Sequence, residues 1–369
     1  MKFHAKNAKI LIKNKVILKM VESTEEDIPK EEVSEETVKE GPKREAFLGI
    51  DVGSVSCKFI LIDIDGNVLT SVFLQNKGSP IDVVKDGMSQ LKEKIDANGD
   101  LKDYEIRACG TTGSARYLTK AVVGGDIAKT EIIAHAVGAQ SDYPDVRTIL
   151  EIGGQDSKII LLRDGIIVDF AMNSVCAAGT GSFLDHQASR LGLPIEEFGD
   201  WAVKSNNPLS IAGRCTVFAE SDMIHKQNAG FSREDIIAGL CDSLVRNYLN
   251  NLSKGKDLVE PVVFQGGVSY NKGIVQAFER HLGCKVVVPK YNVLMGALGM
   301  AILVRDHYIN HKTETVFRGF EVSDITFETS AFNCGDCANN CEVIQVKMPD
   351  HEDEVIARWG SRCGKWEVF

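Results

Sequence analysis

Ile50-Asp51-Val52-Gly53-Ser54-Val55-Ser56-Cys57-Lys58 runs directly into FILIDIDGNVL. One hundred residues on, Leu150-Glu151-Ile152-Gly153-Gly154-Gln155-Asp156-Ser157-Lys158 runs into IILLRDGIIV. Each stretch is an apolar strand, an acidic residue, a glycine turn, a polar run and a lysine. Each then enters a second strand that turns at an Asp-Gly pair, Asp65-Gly66 or Asp164-Gly165. Asp-Gly between apolar runs is a strong hairpin signal. The glycines let backbone N–H groups approach phosphate oxygens. The acidic residues at the strand ends can hold Mg²⁺ through water. Two such hairpins predict a polyphosphate held between two lobes.

The duplication resembles the actin-like ATPase fold shared by sugar kinases, acetate kinase and actin-like chaperones. Two further pieces carry the resemblance. Val262-Val263-Phe264-Gln265-Gly266-Gly267 looks like the adenosine motif, a strand ending in Gly-Gly where base and ribose pack. Gly296-Ala297-Leu298-Gly299 follows in the right order and opens the last helix. A lone glycine loop is weak evidence, whereas three in order are not. The expected fold class is α/β: an actin-like (ribonuclease H-like) fold of two duplicated lobes, plus a small C-terminal metal-binding module.

Composition narrows the function. The chain has 369 residues, enough for two lobes and appendages. A net charge of −10 argues against a nucleic-acid partner. No apolar run approaches the ~18 residues of a membrane helix, and the N-terminus lacks the apolar core of a secretory signal. Ten cysteines without a signal point to a reducing compartment, here the cytoplasm, and to metal or redox work rather than disulfides.

Residues 1–45 read as an extension and charged linker, with ILIKNKVIL as a short hairpin. The first lobe is expected over 46–146, with helix 293–312 packing back on it, and the second over 147–292. The first lobe should hold a helix near 81–96, the strand Tyr104–Cys109, a turn Gly110-Thr111-Thr112-Gly113 and a helix near 128–140. The second should hold helices near 181–191, 216–228 and 233–253. Residues 313–369 form the C-terminal module. Glu131 and His135 share a helix face, and His135 reads as a packed or capping histidine.

Cys176 precedes Ala177-Ala178-Gly179-Thr180-Gly181 and a helix, and Cys215 in Gly213-Arg214-Cys215-Thr216 also precedes one. Helix N-termini favour thiolate or an anionic cluster. Two thiols do not complete a four-coordinate site. Two chains on a two-fold axis do, so a homodimer with one cluster on its axis is expected. Cys57, Cys109, Cys241 and Cys284 have no metal-like spacing and read as buried thiols.

VCAAGTGSFLD, RCTVFAESDM and TEIIAHAVGA resemble the activator ATPases of 2-hydroxyacyl-CoA dehydratases and the ATPase subunits of benzoyl-CoA reductase, over about residues 47–305. The resemblance implies a homodimer bridged by one 4Fe–4S cluster on Cys176 and Cys215. It implies ferredoxin or flavodoxin as electron donor, and a dehydratase or reductase as acceptor. It places ATP or ADP with Mg²⁺ on Gly53, Ser54, Ser56 and Lys58, and on Gly153, Gly154, Gly179, Thr180, Gly181, Gly266 and Gly267. Asp51 belongs to the first loop, and Gln155 or Asp156 would orient the attacking water. A phosphotransferase or a nucleotide-dependent scaffold with structural zinc is the alternative.

Cys334-Gly335-Asp336-Cys337-Ala338-Asn339-Asn340-Cys341 is C-x2-C-x3-C, and Cys363-Gly364 follows. Four thiols in a small module suit zinc or a second 4Fe–4S cluster. Longer relatives carry a similar module.

Overall fold

A computed structural model describes residues 43–368 apart from Ser174, Glu352 and Asp353. The expected extension and its ILIKNKVIL hairpin lie outside the described residues.

Strands β1 (Arg44–Val52) and β2 (Ser56–Asp63) form the first hairpin, and β3 (Val68–Gln75) returns after the Asp65-Gly66 turn. β4 (Tyr104–Thr112) and β5 (Ile127–Ala128) run parallel on the other side of β1, giving the order β3-β2-β1-β4-β5. The second sheet contains β6 (Thr148–Ile152), β7 (Ser157–Arg163), β8 (Ile166–Asn173), β9 (Val262–Gln265) and β10 (Val286–Val287). Its order is β10-β9-β6-β7-β8, with the same antiparallel and parallel pairings. The duplication visible in nine residues therefore extends to whole sheets.

The register places equivalent residues opposite one another: Asp51 faces Lys58, and Glu151 faces Lys158. β1 is buried continuously from Ala46 to Val52. Such a strand is covered on both faces and reads as an unbroken apolar run.

Helices fill three layers. α1 (Pro80–Ala97) starts at the Ser79 cap, whose side chain accepts from Asp82 N, with Pro80 at its first position. With α2 (Arg116–Val123) it covers the outer face of the first sheet. α3 (Glu131–Asp142) and α9 (Met295–His311) lie between the sheets. Their buried residues join Phe47, Ile60 and Ile62 of the first sheet to Ile149, Ile160 and Leu162 of the second. The two helices cross closely: a Cβ on Gly299 would stand 1.8 Å from Ala134 O. α4 (Gly181–Leu191), α5 (Ile195–Ala202), α6 (Thr216–Asn228), α7 (Arg233–Leu252) and α8 (Lys272–Leu282) cover the outer face of the second sheet.

A third sheet, β11 (Glu328–Asn333), β12 (Glu342–Met348) and β13 (Glu354–Trp359), is antiparallel in chain order. Val346 and Ala357 pack it on Ala121 of α2.

Four sequence expectations need correction. Gly110, Thr111 and Thr112 are strand rather than turn, because β4 continues its pairing with β1 as far as Asp51–Thr112; only Gly113 turns, at φ +88°. β1 begins at Arg44, inside the segment read as linker, because Arg44 N bonds Asp103 O at 2.7 Å. Residues 315–327, grouped in the sequence with the cysteine module, pack on the first sheet. Val322 is fully buried there beside Phe317, Phe320 and Phe327. Cys284 lies in the turn after α8 and is half-buried, whereas Cys57, Cys109 and Cys241 are buried as expected.

Candidate functional site

The two hairpin loops close with one hydrogen-bond pattern. Gly53 N donates to Ser56 O at 3.0 Å, and Gly153 N donates to Asp156 O at 2.9 Å. They face each other: a Cβ on Gly154 would stand 2.8 Å from Val55 Cγ2 of the opposite loop. Beside them opens a cleft of about 560 Å³. Ser56 and Lys58 line it from the first loop, and Gly153 and Gly154 from the second. Gly266, Gly267 and Asn271 line the side formed by β9 and the start of α8.

Two glycines seal the strand ends, and the sequence reading paired only one of them with a function. Gly266 has φ +90°, and a Cβ there would lie 2.4 Å from Ile152 O. Gly113 has φ +88°, and its Cβ would lie 2.4 Å from Val52 O and 2.6 Å from Asp51 Oδ1. Both need the left-handed region and a close backbone approach. Gly113 is thus the first-sheet counterpart of Gly266. It was legible only through the doubled topology.

The lysines are not equivalent. Lys58 Nζ stands 3.2 Å from Asp51 Oδ2 and still lines the cleft. Lys158, 4% exposed, sits 3.1 Å from Glu151 Oε2 and 2.6 Å from Asp156 Oδ2. It neutralises its own loop and has no reach to spare for a ligand. Burial opposes ionisation of Asp51, but the charge and hydrogen bond of Lys58, together with the more distant Lys158, outweigh it and hold the carboxyl below its ordinary value. Burial pushes Glu151 up to about 7, against the pull of Lys158.

Burial lowers His135 to about 4, helped by Lys158, so its imidazole is neutral. Gln265 Nε2 approaches His135 Nδ1 at 2.8 Å. Gly296, in the first turn of α9, lies against both Asp51 Oδ2 and His135 Nε2. The packed reading of His135 holds, and the histidine also lines the cleft.

The remaining predicted residues fall into groups. Ser54 and Gln155 are exposed at the loop tips. Gly181 lines the cleft, while Gly179 and Thr180 are buried and Gly179 packs on Asn247. Glu151, read in the sequence as a strand-end acidic residue suited to Mg²⁺, lines the cleft. Sequence reasoning missed Asn271, whose Nδ2 is buried without a partner. Such a donor fits an incoming base or ribose acceptor.

The cysteine segments attach to this site. Gly181 N donates to Gly153 O, and Ser182 N to Gly154 O, both at 2.8 Å. The start of α4, five residues after Cys176, is therefore bonded to the loop of the second hairpin. Cys176 is pinned by Asn173, which accepts from its N at 2.9 Å and donates to its O at 2.8 Å. Asn247 of α7 touches both thiol segments: its amide bonds Gly213 O, two residues before Cys215, and its Oδ1 lies against Gly179. Both thiols are partly exposed, and Val175, Val217 and Phe218 beside them are exposed apolar residues. Cys334, Cys337, Cys341 and Cys363 lie in the loops of the third sheet. Among the described residues, no three His, Cys, Asp or Glu side chains stand together as a metal-ion site. No helix among them is long and apolar enough to cross a membrane.

Residues 48–304 match the BadF/BadG/BcrA/BcrD ATPase family. This chain belongs to that family. It is an ATPase with the actin-like fold that the duplicated hairpins implied. It is similar to the 2-hydroxyisocaproyl-CoA dehydratase activator of Clostridioides difficile, 34% identical over 260 residues, covering 70% of this chain and 94% of that one. It is also similar to the (R)-2-hydroxyglutaryl-CoA dehydratase activating ATPase of Acidaminococcus fermentans, 34% identical over 255 residues, covering 69% and 95%. A solved structure of the activator of the 2-hydroxyisocaproyl-CoA dehydratase from Clostridium difficile, with bound ADPNP, superposes with a TM-score of 0.66. Its identity is 31%, covering 72% of this chain and 97% of that one.

Proposed function

We propose that this ATPase drives low-potential electrons to a partner dehydratase or reductase of acyl-CoA chemistry, from a 4Fe–4S cluster shared between two copies of the chain. The observation that carries this reading is the bonded path from Cys176 through the start of α4 to Gly153 and Gly154. The names of the relatives support the partner class, and the ADPNP in the similar structure supports the nucleotide.

Gly53, Ser54, Ser56 and Lys58 would hold the phosphates from one side, and Gly153, Gly154 and Gly181 from the other. Gly266, Gly267 and Asn271 would take the adenosine. Mg²⁺ needs only one or two carboxylates when phosphates and water complete its shell. Asp51, ionised beside the first loop, suits that role. Gln155 at the loop tip and Asp156 would orient the attacking water. Asp156 is already held by Lys158, so Gln155 is the freer of the two.

Cys176 and Cys215 fit a shared centre, because each chain offers two partly exposed thiols among exposed apolar neighbours. When bound, the cluster would supply one-electron chemistry. Loss of the γ-phosphate changes the charge between the loops. Gly153 and Gly154 then shift the α4 segment they hold, and the surroundings of Cys176 change with it. Ferredoxin or flavodoxin is the donor that this reading requires.

The test is iron content and nucleotide affinity of anaerobically purified protein, with Cys176→Ser and Cys215→Ser beside the parent. One four-iron cluster per dimer is about two irons per chain. Each variant should lose that amount and still bind ATP. Full iron content in both variants would return these cysteines to the role of simple thiols.

A further inference from the structure

We propose that the two loops at one end of the C-terminal sheet form a second, four-thiolate metal centre within a single chain, taking zinc or a 4Fe–4S cluster on Cys334, Cys337, Cys341 and Cys363. The first loop, 334–341, joins β11 to β12 beyond the Asn333–Glu342 pair. Its base is closed by Cys334 N on Cys341 O at 2.8 Å. The second loop follows β13 at the same end, since Trp359 pairs with Ile344. Its base is closed by reciprocal bonds between Arg358 and Val368, at 2.9 and 3.1 Å.

The loops are docked on each other. Lys365 pairs with Asp336, and Arg362 Nη1 donates to Asn339 Oδ1 at 3.4 Å. Gly360, at φ +108°, passes so near the start of β12, where the first loop ends, that a Cβ would lie 2.5 Å from Glu342 O. Trp366 of the second loop packs edge-on against Phe332, with ring centroids 5.1 Å apart. The chain thus brings three cysteines from one turn and a fourth from another to one end of a sheet.

The energetics call for a staple. The apolar core of this sheet is Val346 and Ala357 against Ala121, with partly buried Phe327, Ile356 and Trp359 at its edge. Units below about 40 residues with so little core usually depend on disulfides or metal. All four cysteines are free thiols. Cys334 is already buried and Cys341 half-buried, while Cys337 and Cys363 are exposed. Closure requires those last two to turn inward. The centre is separate from the thiols at Cys176 and Cys215, which precede elements on the second sheet, whereas this sheet packs on α2 of the first. It does not depend on the proposed electron transfer.

The experiment uses the full chain carrying Cys176→Ser and Cys215→Ser, so that metal bound at the first centre is not counted. Element analysis should find about one zinc or about four irons per chain, the two arms naming the metal. Adding Cys337→Ser and Cys363→Ser should abolish it, with far-UV circular dichroism and ATP binding retained by the main body. Iodoacetamide labelling of the parent gives a second readout. Cys337 and Cys363 should resist alkylation until the metal is stripped by acid or chelator. The proposal is overturned if the Cys176/Cys215 double variant carries neither metal. Alkylation of Cys337 and Cys363 at the rate of ordinary exposed thiols in the parent would overturn it equally.

Discussion

Above about pH 7, where Glu151 is ionised in the parent, replacing Lys158 by methionine should cost the fold up to about 3–5 kcal/mol, the range for removing one partner of a buried ion pair. Lys158 is 4% exposed and Glu151 6%, so neither charge has water to fall back on. Methionine keeps most of the apolar stem and removes the ammonium. Glu151 then loses its contact at 3.1 Å and Asp156 its contact at 2.6 Å. Against a total stability of about 5–15 kcal/mol this is a large fraction. Urea unfolding followed by far-UV circular dichroism measures it. With an m-value of about 3 kcal/mol per molar, the midpoint should fall by about 1–1.7 M. The double variant Glu151→Gln/Lys158→Met removes both charges and should recover most of the loss, because a buried pair is worth little relative to a neutral replacement. A single variant with an unmoved midpoint, or a double variant no better than the single, would refute the claim that Lys158 serves its own loop.

Lys58→Ala, by contrast, should lower steady-state ATP turnover by about 10²–10³ with an unchanged far-UV spectrum, since Lys58 lines the cleft. Glu151 is raised from 4.5 to about 7 on folding, so the folded state holds its proton where the unfolded state has lost it. Its contribution to stability therefore falls as pH rises through that window, and Glu151→Gln should flatten that part of a urea-midpoint profile. His135 is lowered from 6.5 to about 4, so its contribution is lost as pH falls through that range, and His135→Gln should remove it. A chain ending at Phe327 should keep its main body folded, whereas one ending at Lys312 strips Val322 and its three phenylalanine neighbours from the first sheet. At about 1.5–3 kcal/mol per large buried side chain, the shorter chain should show a much lower thermal midpoint.

The hairpins were legible because their signals are local. Glycine, acidic residue and lysine stand at the same spacing in both loops, and an Asp-Gly turn follows each, seven residues after Lys58 and six after Lys158. The helices at 181–191 and 216–228 coincide with α4 and α6 for a similar reason: apolar spacing begins just after the Gly-Thr-Gly and Cys-Thr turns. What was not legible depends on distant partners. Residues 315–327 read with the cysteine module because they adjoin it in sequence; their partners, Val123 and Leu91 among them, lie some two hundred residues back in the same core. Gly113 gained meaning only when β4 proved equivalent to β9. The difference between Lys58 and Lys158 is also invisible in the motif, because it is set by Asp156, which occupies the place that Ser56 holds in the first loop.

α7 gives the site its mechanical logic. Asn247 binds the Cys215 segment through Gly213 O and abuts Gly179 of the Cys176 segment. The next residue, Tyr248, is fully buried and donates its hydroxyl to Lys158 O in the second hairpin. One helical turn thus touches both thiol segments and the strand that carries Lys158. Tyr248 also packs edge-on against Phe278 at 5.3 Å, and Phe278 against Phe264 of β9, the strand that leads into Gly266. Close-packed interiors transmit displacement rather than absorb it. On the proposed reading, a shift of the second hairpin on loss of a phosphate would move Tyr248 and Asn247 together, and the two cysteine segments as a pair. Ser243 strengthens that linkage, since its hydroxyl bonds Ala212 O one turn earlier on α7. On the proposed reading Cys176 and Cys215 are two ligands of one shared centre that must keep their mutual geometry while their surroundings change, and a single helix holding both segments would meet that requirement where two independent loops would not.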